Sequence, residues 1–299
     1  MGHSSIPVDV LNPGQVFACL GLVEASIVLC GRTRAGFDWR DPTAVCFHVE
    51  AEEVTAPIDV VLAFLAAATV RTRAPRGSSI NTSKWDIQTE SDAGSNEFPF
   101  DAQPSPATLP AVLIGPDATG AEARIEITHW ADRTRGDNVK FWGGAAGMPG
   151  ARLAYDSLEA VKPRIMASTA DPFSVAAPQS NSFRLDWRRD YIPIDAGFSL
   201  NKHNDFTSVG YPLVEVLAAI GLTYARPHKT PRTKLEYHYG IIGTDSRTRE
   251  TWLLDPILLR AALGGADVPF PRRRFCMHLG WPGKEGQSRA ITTVTEEGV

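Results

Sequence analysis

Apolar runs broken by caps and turns predict the elements of the N-terminal part of the chain. Residues 6–11 alternate apolar and polar side chains, the pattern of an edge strand. Asn12 and Pro13 then provide an N-cap and a first helical residue. The helix predicted over residues 15–30 is apolar on nearly every face and contains Gly21, where a neighbour can approach closely. We therefore expect this helix to be buried at the centre of the fold and to end at Gly31.

The following residues continue the alternation of strands and helices. They predict a strand over 44–49, a helix over 58–68 and a strand over 69–73. Residues 90–108 lack periodicity and are rich in serine, aspartate, glycine and proline, which is typical of a long loop or a boundary between lobes. The sequence thus predicts an N-terminal α/β lobe over residues 1–105 and a C-terminal α+β lobe over residues 106–299, divided near Ser105.

The C-terminal lobe mixes strands and helices without strict alternation. The predicted helices cover residues 150–168, 212–220 and 255–263, the second closed by Gly221 and the third by Gly264 and Gly265. The predicted strands cover residues 109–114, 123–128, 235–242, 273–280 and 290–295. This order predicts an α+β fold in which mixed sheets and packed helices form two lobes.

Composition narrows the class of protein. The 299 residues are 43% hydrophobic, which supports a packed core, and the net charge of −4 gives polyanions no long-range attraction. Any nucleic-acid contact must therefore be a local patch. We see no secretory signal, and the apolar run over residues 16–30 is shorter than the roughly 20 residues of a membrane span. The four cysteines show no CxxC spacing, so we expect reduced thiols, a cytoplasmic location and no contact with a membrane.

Signatures of common enzymes are missing from the sequence. It contains no GxxxxGK[ST] phosphate loop, no HExxH, no GxSxG elbow and no paired Cys/His clusters, so we predict no catalytic residue, no metal and no cofactor. An alternative remains open, because His129, Asp132 and His203 have side chains suited to a metal-dependent nuclease or hydrolase. A histidine that serves only as a structural hydrogen-bonding group explains the same residues.

A basic and aromatic stretch follows His129. It carries the residue types that neutralise phosphates, read polar base edges and stack on bases. The candidate nucleic-acid-binding residues there are Arg133, Arg135, Asn138, Lys140 and Trp142. A solvated turn in which the arginines pair with Asp132 and Asp137 is an equal alternative.

Residues 183–191 form the strongest basic and aromatic segment. As an extended strand they would place Arg184, Asp186 and Arg188 on one face and apolar side chains on the other. Guanidinium groups bind phosphate through paired hydrogen bonds, so we predict that Arg184, Arg188 and Arg189 contact nucleic acid. In this strand Arg184 and Arg188 point together and Arg189 points away. The rival interpretation is a buried network of ion pairs, in which Arg184 pairs with Asp186 and Arg189 pairs with Asp190.

A third cluster opens the closing strand pair. Arg272, Arg273 and Arg274 are consecutive, and Lys284 lies in the turn at the far end of the strand. Strand alternation sends Arg272 and Arg274 to one side, where they would form a compact anion site. A solvated strand edge that discourages further strand pairing explains the same residues.

The chain resembles a type I-U (also called I-G) CRISPR-associated protein family. The resemblance rests on residues 12–21, 137–142, 183–191 and 280–283 and extends over nearly the whole chain. It implies a subunit of a Cascade-like effector complex for antiviral defence, similar to a large subunit, in which base pairing reads most of the target. The implied partners are the other type I effector subunits, the guide RNA and the target DNA.

Residues and resemblance together predict a non-catalytic, RNA-binding or DNA-binding subunit of a type I RNA-guided surveillance complex. Its basic and aromatic segments would hold the guide RNA or the target DNA, including a short flanking motif. A protein scaffold, whose basic segments contact acidic protein neighbours instead, is a further alternative.

Overall fold

Five α-helices and thirteen strands are present in the part of the chain that this computed structural model describes, namely residues 1–52, 54–75, 78, 80–91, 106–131, 148–179, 182–188, 208–230, 233, 235–245, 252–280 and 289–298. The helices are α1 (Pro13–Cys30), α2 (Pro57–Ala67), α3 (Gly150–Ile165), α4 (Pro212–Tyr224) and α5 (Pro256–Leu263). The strands are β1 (Gly2–Pro7), β2 (Thr33–Asp38), β3 (Cys46–Ala51), β4 (Thr69–Ala74), β5 (Thr89–Ser91), β6 (Ala111–Pro116), β7 (Glu122–Ile127), β8 (Ala177–Pro178), β9 (Val209–Gly210), β10 (His228–Lys229), β11 (Glu236–Thr244), β12 (Arg272–Gly280) and β13 (Ala290–Glu297). The α+β class is confirmed.

Helix α1 begins and ends as its sequence predicts. The side chain of Asn12 accepts a hydrogen bond from the backbone N–H of Gly14 at 3.1 Å, and Pro13 occupies the first turn. Gly31 ends the helix with a φ of 77°, a value that favours glycine. The helix is long and apolar enough to cross a membrane, but 89% of it is buried inside the fold. It is therefore packed as a core helix in this structure.

Helices α1 and α4 pack unusually closely at two glycines. A Cβ atom on Gly21 would overlap the carbonyl oxygen of Leu217, and one on Gly221 would overlap that of Phe17. The close approach predicted at Gly21 is thus confirmed. The prediction that Gly221 closes its helix is wrong, because α4 continues to Tyr224. Gly221 is instead required by the contact with α1.

The larger sheet has seven strands in the order β1-β3-β2-β11-β12-β13, with β10 paired to β11. Strand β1 is at an edge, as predicted, but it starts at Gly2 rather than Ile6. Strand β2 was not predicted, because its sequence combines two charged residues with Gly36. It runs antiparallel to β3 and parallel to β11, and so joins the N-terminal strands to the C-terminal ones.

The smaller sheet has four strands in the order β5-β4-β6-β7. Helix α1 contacts β2 and β3 of the larger sheet and β7 of the smaller one, so both sheets share the core around it. Ser105, where the sequence predicts the division between lobes, lies outside the described residues. Each sheet draws strands from both sides of that position, and the two chain segments are therefore interleaved in one core.

The closing part of the chain follows its prediction closely. Asp255 caps α5 by accepting a hydrogen bond from the backbone N–H of Ile257 at 3.0 Å, and Gly264 ends this helix. Strands β12 and β13 then pair antiparallel. Phe275 and Met277 point into the core, so the residues that alternate with them lie on the outer face of the sheet.

Acidification is expected to destabilise the protein through His48. Burial, reinforced by the neighbouring His3, lowers the pKa of His48 from 6.5 to about 4. Between these values the unfolded chain binds more protons than the folded one, so stability falls as the pH falls. After allowance for solvent screening we expect a loss of roughly 2 kcal/mol. Urea unfolding at pH 7 and pH 4.5 should show a smaller pH-dependent loss for His48→Gln. Equal losses would contradict this assignment.

Candidate nucleic-acid interface

Residues 182–188 do not form the two-faced strand that their alternation predicts. They have no regular strand pairing, and Arg184 has a φ of 63°, which breaks the extended backbone. Leu185 and Asp186 are consecutive but both buried, which does not fit a strand with one apolar and one solvated face. The predicted common face of Arg184 and Arg188 is therefore wrong as a strand face. Arg189 and residues 190–191 lie outside the described residues.

A buried carboxylate organises this segment. Asp186 is only 1% exposed. Its Oδ1 accepts a hydrogen bond from the side-chain amide of Asn12 at 2.9 Å, so the residue that caps α1 also binds the segment. Arg188 forms a bidentate ion pair with the same carboxylate, with Nε 3.0 Å from Oδ1 and Nη2 2.6 Å from Oδ2. The ion-pair interpretation thus holds for Asp186 with Arg188 as its partner, whereas the sequence pattern predicts the pair Arg184–Asp186.

A second buried carboxylate explains the irregular backbone. Glu215 of α4 is 1% exposed, and its Oε1 accepts hydrogen bonds from the backbone N–H groups of Leu185 and Asp186, both at 3.1 Å. In a strand two consecutive N–H groups point to opposite sides, but here both donate to one carboxylate oxygen. The segment is thereby held against both α4 and the first turn of α1.

Arg188 makes two further contacts. Its Nη2 donates a hydrogen bond to the carbonyl oxygen of Phe173 at 2.8 Å, and its guanidinium lies 3.5 Å from the centre of the Tyr211 ring. These contacts fix the plane of the guanidinium. Trp187 beside it is half-buried and packs against the core, so its ring is only partly available for stacking on a base.

Arg188 and Arg273 line the same groove. The groove has a volume of about 440 Å³ and lies between the turn after β1, residues 42–45 and the Asp171–Phe173 turn. Arg273 pairs with Glu296, with Nε 2.6 Å from Oε1 and Nη2 2.7 Å from Oε2. Within the described part of the chain, the Nη1 group of neither arginine has a hydrogen-bond partner, so each retains donors for an anion.

Arg272 and Arg274 lie on the opposite side of β12 from Arg273. Both pair with the carboxylate of Asp267, so the prediction that they share one side is confirmed. The compact anion site expected there already contains the aspartate. Hydrogen bonding from Arg272 lowers the pKa of Asp267, and hydrogen bonding from Arg273 lowers that of Glu296. Both carboxylates therefore stay charged at neutral pH and offset the positive charge of the cluster.

Two aromatic residues, Trp130 and Phe183, pack against each other at the start of two basic segments. The ring of Trp130, just before residues 132–147, stacks on Phe183 with the ring centres 5.5 Å apart and the planes 16° from parallel. Its Nε1 donates a hydrogen bond to the carbonyl oxygen of Leu109 at 2.8 Å. Trp130 and Phe183, which lie at the start of two segments that carry predicted contacts, are therefore packed side by side. The described residues do not include the following predicted contacts: Arg133, Arg135, Asn138, Lys140, Trp142, Arg189 and Lys284.

Of the alternative catalytic trio, the described part of the chain contains His129. His129 is 6% exposed, and its ring packs edge-on against Trp130 with 4.8 Å between the ring centres. Asp132 and His203 lie outside the described residues. The burial of His129 among aromatic rings suits a structural role, and the hydrolase hypothesis stays a prediction.

Sequence reasoning missed the two polar residues that position Arg188. The sequence pattern predicts only a helix cap at Asn12, and it predicts no role for Glu215 inside its apolar helix. A single carboxylate within the run LVEVLAAIG is nevertheless a signal, because burying it requires hydrogen-bond donors from elsewhere in the fold. The donors come from the basic segment itself.

The groove therefore contains two guanidinium groups, and a carboxylate, Asp186 or Glu296, holds each of them in one orientation. Its walls also include Asp9 and Asp171, so its charge is mixed rather than uniformly positive.

Comparison of the chain with known proteins found no matching family model, no matching curated protein and no matching solved structure.

Proposed function

We propose that this chain is a non-catalytic, cytoplasmic subunit of a type I-U (I-G) CRISPR effector complex that holds the phosphate backbone of guide RNA or target DNA. The observation that carries the proposal is the convergence of Arg188 and Arg273 on one groove. These arginines come from distant parts of the sequence, and each belongs to a basic cluster whose sequence predicts contact with nucleic acid.

The hydrogen-bond donors that these two arginines retain are suited to binding a phosphate group. A guanidinium has five N–H donors, and a paired carboxylate uses only two of them. The bound carboxylates fix each guanidinium in one orientation, which reduces the entropy lost on binding. They also reduce the net charge, so each arginine should contribute near the lower limit for a charge-assisted hydrogen bond, about 1.5 kcal/mol.

Salt-dependent binding tests the groove. The full chain would be titrated into labelled single-stranded RNA and into duplex DNA of the same sequence at several salt concentrations, with fluorescence anisotropy as the readout. We expect Arg273→Gln to weaken binding about tenfold and to reduce the slope of log K against log salt by about 0.7 for RNA or 0.9 for DNA. The probe that responds identifies the bound nucleic acid.

Matched variants distinguish binding at the groove from a general effect of positive charge on the protein surface. Arg274→Gln removes the same charge from the same strand on the opposite face, and it should leave the slope unchanged. Arg188 is replaced together with its partner, as Asp186→Asn with Arg188→Gln, because the single change would leave a buried carboxylate uncompensated. Equal effects of the Arg273 and Arg274 variants would rule out the groove. Failure of the chain to bind either probe at low salt would favour the protein-scaffold alternative.

A further inference from the structure

A cluster of metal-ligating side chains covers the outer face of the large sheet, away from the arginine groove. Glu236 and His238 alternate on β11, Cys276 and His278 alternate on β12, and Glu297 ends β13. The antiparallel register places Glu236 opposite His278 and His238 opposite Cys276. Two cross-strand pairs of ligand-type residues therefore lie next to each other on rigid strands.

The donor atoms are already close together. Nε2 of His238 lies 3.3 Å from a carboxylate oxygen of Glu236, and Sγ of Cys276 lies 3.6 Å from Nε2 of His278. The donor atoms of Glu236, Cys276 and His278 all lie within 4.8 Å of one another, as do those of His238, Cys276 and Glu297, so two groups of three share Cys276. A tetrahedral zinc ion with bonds of about 2.0–2.3 Å spaces its ligand atoms roughly 3.3–3.6 Å apart. The two measured pairs match two of the six edges of such a tetrahedron, and small side-chain rotations would be needed to bring the other donor pairs to the same spacing.

Glu297 orients one of these ligands. Its carboxylate lies 2.7 Å from Nδ1 of His238, the distance of a hydrogen bond. When Nδ1–H donates to Glu297, Nε2 presents its lone pair to the Glu236 oxygen. Two facing acceptors are stabilised by a cation between them. A carboxylate that holds the outer nitrogen of a histidine is also the usual support of a metal-bound imidazole.

We propose that Glu236, His238, Cys276 and His278 bind one divalent transition-metal ion of the zinc class, with Glu297 as the support of His238. Sulfur and imidazole ligands favour zinc over magnesium or calcium, which take oxygen ligands. Cys276 is buried, whereas the His278 side chain is 45% exposed, so an ion can enter from solvent. His238 and Glu297 also line a cavity of about 240 Å³. The ion would tie β11 to β12, and its four protein ligands indicate a structural rather than a catalytic site.

Cobalt binding tests this site. The purified full chain, treated with a chelator, would be titrated with Co²⁺ and the absorption spectrum recorded. We expect one equivalent to bind and to produce a thiolate-to-cobalt charge-transfer band, which one equivalent of Zn²⁺ removes. Cys276→Ser should abolish the band, and Glu297→Gln should weaken metal binding at least tenfold. Cys46→Ser, a second strand cysteine that is not fully buried, should leave both unchanged.

Circular dichroism checks that each variant is folded. If Cys276→Ser does not fold, His278→Gln replaces it, because that side chain is half-exposed, and at least tenfold weaker binding is expected. The rival arrangement is a protonated His238 between Glu236 and Glu297, and it predicts no cobalt uptake. Absence of stoichiometric binding, or a band that survives Cys276→Ser, would overturn the proposal.

Discussion

Replacement of Gly21 by alanine is expected to lower the free energy of unfolding by about 3 kcal/mol. The new methyl group would overlap the carbonyl oxygen of Leu217 in α4, and backbone atoms cannot move aside as a flexible side chain can. Alanine is intrinsically better than glycine inside a helix by about 1 kcal/mol. The overlap and the helix propensity therefore act in opposite directions, and the sign of the change shows which one dominates. Urea unfolding followed by circular dichroism measures it.

Gly298→Ala provides the control, since a Cβ atom at that position meets nothing within 4 Å. Its stability should change by less than about 0.5 kcal/mol. Gly221→Ala should be destabilising as well, because it would overlap Phe17 in the same helix crossing. The two glycines face each other, so the double variant should cost less than the sum of the single ones. A Gly21→Ala protein as stable as the parent would contradict the close packing described here.

Local signals predicted the ends of elements well where the chain alone determines them. The cap at Asn12, the proline that follows it and the glycine at position 31 depend on backbone geometry within a few residues, and all three are confirmed. Gly221 looks the same in sequence as a helix-ending glycine. Its role depends on a helix that is distant in sequence, so no local pattern distinguishes a close contact from a helix end.

The candidate site was predictable in its chemistry but not in its geometry. The basic clusters around Arg188 and Arg273 are visible in the sequence, but the sequence does not show that they meet at one groove. The strand predicted over residues 183–191 is wrong over its described part because Glu215 and Asn12 supply hydrogen bonds that only the folded chain brings together. Arg272 and Arg274 follow strand alternation as predicted, yet the aspartate between them comes from the preceding turn.

Replacement of Asp186 by alanine is expected to lower the free energy of unfolding by roughly 3 kcal/mol. The carboxylate is buried and accepts hydrogen bonds from the side chain of Asn12 and from both the backbone and the side chain of Arg188, so its removal leaves all of these donors without their acceptor. Breaking a buried ion pair costs about 3–5 kcal/mol, and the partial exposure of Arg188 places this case at the lower end. Equilibrium urea unfolding of the full chain gives the value.

Asp267→Ala is the matched control for this prediction. Asp267 also pairs with arginines, but its side chain is 81% exposed and solvent screens the pair, so its removal should cost much less than that of Asp186. A double-mutant cycle between Asp186→Ala and Arg188→Gln should give a coupling of about 1–3 kcal/mol. Equal costs for the two aspartate variants would mean that burial does not strengthen the Asp186 network. In that case Arg188 would be held chiefly by Phe173 and Tyr211, and the groove would lose the support that connects it to the first turn of α1.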